Sequence, residues 1–344
     1  MHLLKQTWIL LTTIFISMIF LLVNKSLADG VNGIAMQPTY PSNQIIKNGI
    51  INPLVKPGDT QKLSFKIINL SNEKIKVSIT PNTAVTSDTP SIDYSQNKYK
   101  YDNSLKYNFK DIFSVNKIYK TLEPHKVVDI TFTARIPKEK FNGLLMGGFY
   151  ISTNKIYLNN NSATAINNKY SYVMPVIFKE NHSKIDPNLT LGKVYSDNQN
   201  STPIVNSVIY NKKPAIIDGM TIETFINDSN GNRIYHMYNN NNSVAPNSNF
   251  TYKSVISNKN ILSPGKYHIK IIVKSNEGNW ILQKYFSIGV GQYLGTILQD
   301  NSWIWWLVLL LILLIILIII YIVYKKIKSK KEKENVKKIG KHFK

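Results

Sequence analysis

The 344-residue sequence contains no cysteine. This excludes a disulfide framework, a thiolate zinc site, an iron–sulfur cluster and a cysteine nucleophile. Acid is also scarce, with 20 Asp and Glu against 42 Lys and Arg, and the few carboxylates are scattered. No adjacent acid pair of the kind used in glycoside hydrolysis stands out. Only six histidines occur, at 2, 125, 182, 236, 268 and 342, and none has the HExxH or another metal spacing. His236 and His268 read as surface residues of strands. No GxSxG elbow is present, nor SxxK together with its companion motifs. The segment DSNGNR (228–233) lacks the third spaced ligand and the distal Glu of a calcium loop, and reads as a hairpin turn. The expectation is a protein with no catalytic residues, no cofactor and no metal.

The two ends are rich in what the middle lacks. MHLLKQ, an apolar run from Trp8 to Val23 and NKSLADG form a basic region, a hydrophobic region and a small-residue cleavage site. Residues 1–28 therefore read as a signal peptide cut after Ala28, with an uncleaved anchor as the other reading. Trp303 to Tyr324 gives 22 residues without a charge, enough for a helix to span a hydrocarbon core of about 30 Å. Trp303, Trp305 and Trp306 mark one interface of that span, and Tyr321 and Tyr324 mark the other. Lys325 and Lys326 open a tail, 325–344, with ten lysines against two glutamates. The positive-inside rule puts that tail in the cytoplasm, against anionic lipid. This is a single-pass type I arrangement with residues 291–302 as a juxtamembrane linker.

The whole chain carries +22. Setting aside two leader lysines and a surplus of eight in the tail leaves +12 on the ectodomain. That charge is dispersed, and no nucleic-acid-binding motif accompanies it, so it favours solubility or an anionic polymer over nucleic acid.

Between the ends the pattern is all-β. Leu63, Phe65 and Ile67 alternate with polar residues, as do Ile75, Val77 and Ile79, and then Val128, Ile130, Phe132, Ala134 and Ile136 up to Pro137. KENHSKIDPN (179–188) is a polar break, after which alternation resumes in two hairpins. TIETFI turns through NDSNGN into RIYHMY, and PGKYHIKIIVK turns through SNEG into NWILQKYFSI. Two tandem β-sandwich (Ig-like) domains are expected, 29–180 and 186–290, followed by the transmembrane helix. Two stretches resist this pattern: 154–170, rich in asparagine, and 82–119, rich in tyrosine. Tyr94, Tyr99, Tyr101 and Tyr107 of the latter cover a sandwich edge or form a surface for a glycan or protein ligand.

FNGLLMGGFY (141–150) crowds Gly143, Gly147 and Gly148 into an apolar run. A phosphate loop would need GxxxxGK[ST] between a strand and a helix. Strand-like FYIST follows instead, so these glycines imply a bulge or a close backbone approach.

Three stretches of the first half resemble the WxL-interacting, peptidoglycan-binding domain of Gram-positive surface proteins. They are LVKPGDTQKLSFKIINLSNEKIKVSITPNTAVTS (54–87), LEPHKVVDITFTARIPKEKFNGLLMGGFYI (122–151) and YSYVMPVIFKE (170–180). In the second half SVAPNSNFTYK (243–253), LSPGKYHIKI (262–271) and NWILQKYFSI (279–288) resemble the family's host-binding domain. The matching residues are framework positions: Pro57, Gly58, Pro137, Phe141, Gly143, Gly147 and Gly148. His125 departs from the family pattern, in which glycine follows the proline, and a different turn is expected there. The resemblance implies a cell-surface adhesion or scaffold protein with three kinds of partner: peptidoglycan, WxL-domain surface proteins and host extracellular proteins. An assembly chaperone working by strand addition is the alternative it leaves open.

Overall fold

The computed structural model describes residues 33–153, 170–199, 202–256, 262–291, 293 and 303–339. The expected leader and nearly all of 154–170 and 291–302 lie outside them. The chain divides into two compact units, Met1–Val85 with Asp93–Ile185, and Thr86–Ile92 with Asp186–Lys344.

In the first unit the strands are β1 (Ile34–Thr39), β2 (Thr60–Asn69), β3 (Ile75–Thr83), β4 (Val85–Thr86), β5 (Ile92–Asp93), β6 (Ile118–Leu122), β7 (Val127–Arg135), β8 (Leu145–Thr153) and β9 (Ser171–Phe178). They form a three-stranded sheet, β1-β2-β7, and a four-stranded sheet, β6-β3-β8-β9, with β4 and β5 as a separate ribbon. The alternation read from the sequence sets which side chains face inward. Leu63, Phe65, Ile67, Ile130, Phe132 and Ala134 from one sheet meet Val77, Ile79, Phe149 and Ile151 from the other in one core. Phe149 joins the layers, its ring 5.3 Å from Phe65 and 4.4 Å from Phe132, both stacked. Truncating such a fully buried ring to alanine costs about 3–5 kcal/mol.

The second unit has β10 (Leu189–Gln199), β11 (Thr202–Asn211), β12 (Ile217–Asn227), β13 (Arg233–Val244), β14 (Ser248–Val255), β15 (Gly265–Ser275) and β16 (Gly278–Ile288). Its sheets, β10-β11-β14 and β13-β12-β15-β16, repeat the order of the first unit strand for strand. Tyr267, Ile269, Ile271, Val273, Leu282, Phe286 and Ile288 lie in its core, with Trp280 packed against the edge. Residues 86–92 count with this unit. There Thr86 Oγ1 shares a 2.6 Å hydrogen bond with Ser248 Oγ, and Asp88 pairs with Lys253 at 2.9 Å.

The repeat extends to one buried side chain per unit. Asn69, ending β2, donates through Nδ2 to the carbonyls of Glu73, Leu122 and Glu123, and its Oδ1 accepts from the Ser71 amide. Asn211, ending β11, donates to the carbonyls of Ala215 and Ala245, and its Oδ1 accepts from the Lys213 amide. In both places an asparagine satisfies carbonyls that the turning chain leaves without a strand partner.

The connections differ between the units, and one of these differences builds the site. Between β12 and β13 runs a tight turn whose Asp228 accepts from the Asn230 and Asn232 amides at 2.9 and 2.8 Å. The equivalent connection between β3 and β6 is the long tyrosine-rich insertion, 84–117, with a 3₁₀ turn at Phe109–Ile112. His125 stands at φ 55°, the left-handed conformation that glycine favours. Its ring bonds Asn72 Oδ1 at 2.8 Å.

Helix α1 (Trp303–Ile339) continues past the expected 22 apolar residues into the lysine-rich tail. Lysine and glutamate are good helix formers, so the end of the apolar run does not end the helix. Its segment Trp306–Ser329 is long and apolar enough to cross a membrane.

Candidate functional site

The insertion and the end of β7 enclose an open cleft of about 560 Å³ in the first unit. One wall is Arg135, Pro137, Lys138 and Glu139, and the other is Lys106 to Asn108 and Asp111 to Ser114. Local structure explains both walls.

The first wall rests on the two signature turns. Lys56-Pro57-Gly58-Asp59 closes through Asp59 N–H donating to Lys56 O at 3.2 Å, with Gly58 at φ 78° as such a turn requires. Gly58 N–H then donates to Pro137 O at 2.9 Å, and Ile136 N–H donates to Asp59 O at 2.8 Å. Pro57–Gly58 and Pro137, far apart in sequence, thus fix one rim of the cleft. Phe141 is buried beyond it, its amide donating to Glu180 Oε2 at 3.2 Å. Gly143, at φ 78°, turns the chain into β8.

The second wall is seated on glycine. A Cβ at Gly147 would stand 2.2 Å from the Phe109 ring and 2.5 Å from Asn82 O. A Cβ at Gly148, on the opposite face of β8, would stand 3.0 Å from Tyr94 Cδ1 and 2.9 Å from Val173 Cγ1. Both glycines have ordinary negative φ, so what they provide is room for aromatic rings of the insertion. Phe109, fully buried, packs 5.0 Å from Phe113 and 5.8 Å from Phe178, which anchors residues 106–114. At the cleft base Phe113 bridges Ala134 of β7.

The four tyrosines do not form one surface. Tyr94 packs against Gly148, and burial pushes its phenol above the usual range. Tyr99 and Tyr101 lie 5.6 Å apart, with Lys110 Nζ 5.4 Å from the Tyr101 ring. Only Tyr107 lines the cleft. Its hydroxyl donates to Glu139 Oε2 at 3.2 Å, and Lys106 Nζ reaches the same oxygen at 2.8 Å. Lys106 holds the Glu139 carboxyl below its ordinary range, chiefly by that hydrogen bond, and Glu139 raises Lys106 in return. Asp111 accepts from Asn108 Nδ2 at 2.8 Å. Arg135 and Lys138 have no ion-pair partner among the described residues. Sequence reading missed Arg135, Lys138 and Glu139. The available signal was the dense charge around Pro137 in RIPKEK, inside a stretch otherwise recognised only for its framework.

A second surface lies on the outer face of the four-stranded sheet of the second unit. Register places His236, Phe225, Lys270 and Gln283 in one row, and Tyr238, Glu223, Ile272 and Ile281 in the next. His236 stacks on Phe225 at 4.7 Å and bonds Glu223 Oε1 at 2.9 Å, while Arg233 covers Phe225 at 5.1 Å. His268 packs 4.6 Å from Tyr285. Tyr238, Ile281 and Tyr285 are 58%, 64% and 77% exposed, at positions where strand alternation calls for polar residues. Among the described residues no three His, Asp or Glu side chains converge as a metal site.

On α1, Trp303, Trp306, Tyr321 and Tyr324 are exposed. Trp305 lies on the same helix, and Lys325 and Lys326 follow as exposed residues one turn past Tyr321.

Comparison with known proteins gives two family matches. Residues 35–153 match the WxL Interacting Protein, peptidoglycan binding domain, and residues 161–293 match the WxL Interacting Protein, host binding domain. A search of curated proteins gives no match. Among solved structures, the Salmonella enterica SafA pilin in complex with the SafB chaperone is 9% identical, covering 75% of this chain and 97% of that one at a TM-score of 0.30. The Pseudomonas aeruginosa CupB2 chaperone is 11% identical, covering 66% and 93% at 0.30. A PapD-like domain of human CEP192 is 14% identical, covering 44% and 87% at 0.26. Likeness at these scores carries no functional argument.

Proposed function

The chain belongs to the WxL-interacting protein family, and from that premise we propose that it is a non-enzymatic binding protein tethered at the outer face of the cell membrane. Signal peptide 1–28 is removed, domains 29–180 and 186–290 face the wall, Trp303 to Tyr324 spans the bilayer, and 325–344 is cytoplasmic. The first domain binds peptidoglycan. The second binds a protein, either a WxL-domain surface protein or a host extracellular protein. Two sites on one tether raise effective concentration at the wall without a strong single contact.

The observation that carries the reading is the cleft. It lies within the region matched as peptidoglycan-binding, and its volume suits a sugar or glycopeptide unit. Tyr107 offers a ring, Asn108 and Ser114 offer hydrogen-bonding groups, and Arg135 and Lys138 offer charge. For the second domain, the exposed Tyr238, Ile281 and Tyr285 among Arg233, Lys270 and a single outward Glu223 suit a protein surface that is acidic around an apolar centre.

Co-sedimentation of the full-length protein in detergent with purified peptidoglycan tests the first assignment. Retention should persist at 0.3 M salt and fall severalfold in Tyr107→Ala with Arg135→Gln. Retention no better than that of an unrelated basic membrane protein would refute it.

A further inference from the structure

We propose that the cleft of the first unit is a carboxylate-binding site, and that its ligand is a free carboxylate of the peptidoglycan stem peptide, gripped by Arg135 with Lys138 alongside. The inference rests on the reading of this unit as peptidoglycan-binding, and goes beyond it by naming the chemical group recognised.

Charge bookkeeping within the cleft leads there. Of its five charged side chains, Lys106 and Glu139 neutralise each other at 2.8 Å, and the carboxylate of Asp111 is engaged by the Asn108 amide. Arg135 and Lys138 are exposed and have no ion-pair partner among the described residues. Arg135 is also well positioned. It is the last residue of β7, paired in register with Thr60, between Ala134, which bridges Phe113, and Ile136, whose amide is held by Asp59 O. Its guanidinium therefore projects from a backbone secured on both sides. A guanidinium presents two parallel N–H groups that match a planar carboxylate.

The glycan strand itself is uncharged at its N-acetyl and hydroxyl groups, so a cation pair has no counterpart there. The stem peptide supplies one. A polyanionic phosphate chain is the other source of negative charge at such a surface. Asp111 in the same cleft opposes it, and with Lys106 already paired to Glu139 only two cations are left to meet a run of phosphates. A single carboxylate flanked by neutral amides fits between the two cations without that repulsion, and Tyr107 and Asn108 on the facing wall meet the neutral remainder.

The test is calorimetric titration of the full-length protein in detergent with four probes. These are a muramyl tripeptide with free carboxylates, the same compound with all carboxylates amidated, an N-acetylglucosamine tetramer, and poly(glycerol phosphate). The free acid should bind at least about tenfold more tightly than the amidated form. Arg135→Gln should remove that difference, Arg135→Lys should restore part of it, and Lys213→Gln, an exposed cation of the other unit, should leave it unchanged. Arg135 is exposed, and an unaltered melting curve will confirm that the variants fold. Equal binding of free and amidated peptide, tighter binding of the tetramer or the polyphosphate, or indifference to Arg135→Gln would overturn the proposal. If whole peptidoglycan is still retained in that event, only the carboxylate assignment falls. If neither whole peptidoglycan nor any fragment binds, the functional reading falls with it.

Discussion

Gly147 and Gly148 stand side by side, yet the structure gives them different tasks and different costs of substitution. A methyl at Gly147 would enter both the Phe109 ring and a backbone carbonyl, whereas at Gly148 the tightest approaches are 2.9 to 3.1 Å. Gly147→Ala should therefore destabilise the first unit by about 1–3 kcal/mol, as overpacking of a filled core does, and Gly148→Ala by less. Chemical denaturation of the two variants checks the order. Because Phe109 is the obstacle, Phe109→Ala combined with Gly147→Ala should cost less than the sum of the single changes. Tyr235 has a different sensitivity. Burial, reinforced by Tyr252, pushes its phenol up to about 12. A phenol raised in the fold contributes stability that is complete below its unfolded value near 10 and is lost as pH rises through the folded value. The melting temperature should thus fall between pH 10 and 12, and Tyr235→Phe should flatten that fall.

Strands and their connections carry the next level. Asn69 and Asn211 occupy equivalent corners of two sandwiches with the same strand order, and each satisfies several buried carbonyls. Replacing either by alanine removes these bonds at a cost of about 1–3 kcal/mol rather than a sum over every carbonyl. Glu73 O, Glu123 O and Ala245 O keep donors in Ser71 Oγ, the Lys126 amide and Ser248 Oγ. Asn69→Ala and Asn211→Ala should each lower the denaturation midpoint, and by similar amounts, because each leaves one carbonyl, of Leu122 or of Ala215, without its side-chain donor. Urea unfolding of the two variants measures this. Among the connections in which the units diverge, that between β12 and β13 is a tight Asp228 turn where the first unit has the insertion that builds the cleft. The shared frame thus supplies stability, and the insertion supplies the distinctive surface.

At the scale of the whole molecule, α1 makes a prediction about location. Its 37 residues amount to about 55 Å, well beyond a hydrocarbon core of about 30 Å. The lysine-bearing turns therefore have to lie outside the apolar layer. Deleting 303–344 should release the protein into the medium. Protease added to intact cells should remove the β units while leaving an epitope placed after 344 protected. Loss of that epitope on intact cells would refute the proposed orientation.

What the sequence by itself determined is whatever depends on neighbours along the chain. Period-two alternation names the inward residues of β2, β7, β15 and β16, because a strand sends successive side chains to opposite faces. An uncharged run of sufficient length names the apolar helix, and the Asn-Gly signal names the Asp228 turn. The cleft was beyond such reading. Arg135, Tyr107 and Glu139 share a site only because Pro57–Gly58 meets Pro137 and because Phe109 finds space at Gly147, contacts made across dozens of residues. Likewise Tyr94 and Tyr107, alike in sequence context, part company because one ring meets a glycine and the other a glutamate. The capture of 86–92 by the second unit follows from hydrogen bonds to partners more than 150 positions away. Local pattern decides which face of an element is apolar, and only three-dimensional packing decides which elements bring their polar faces together.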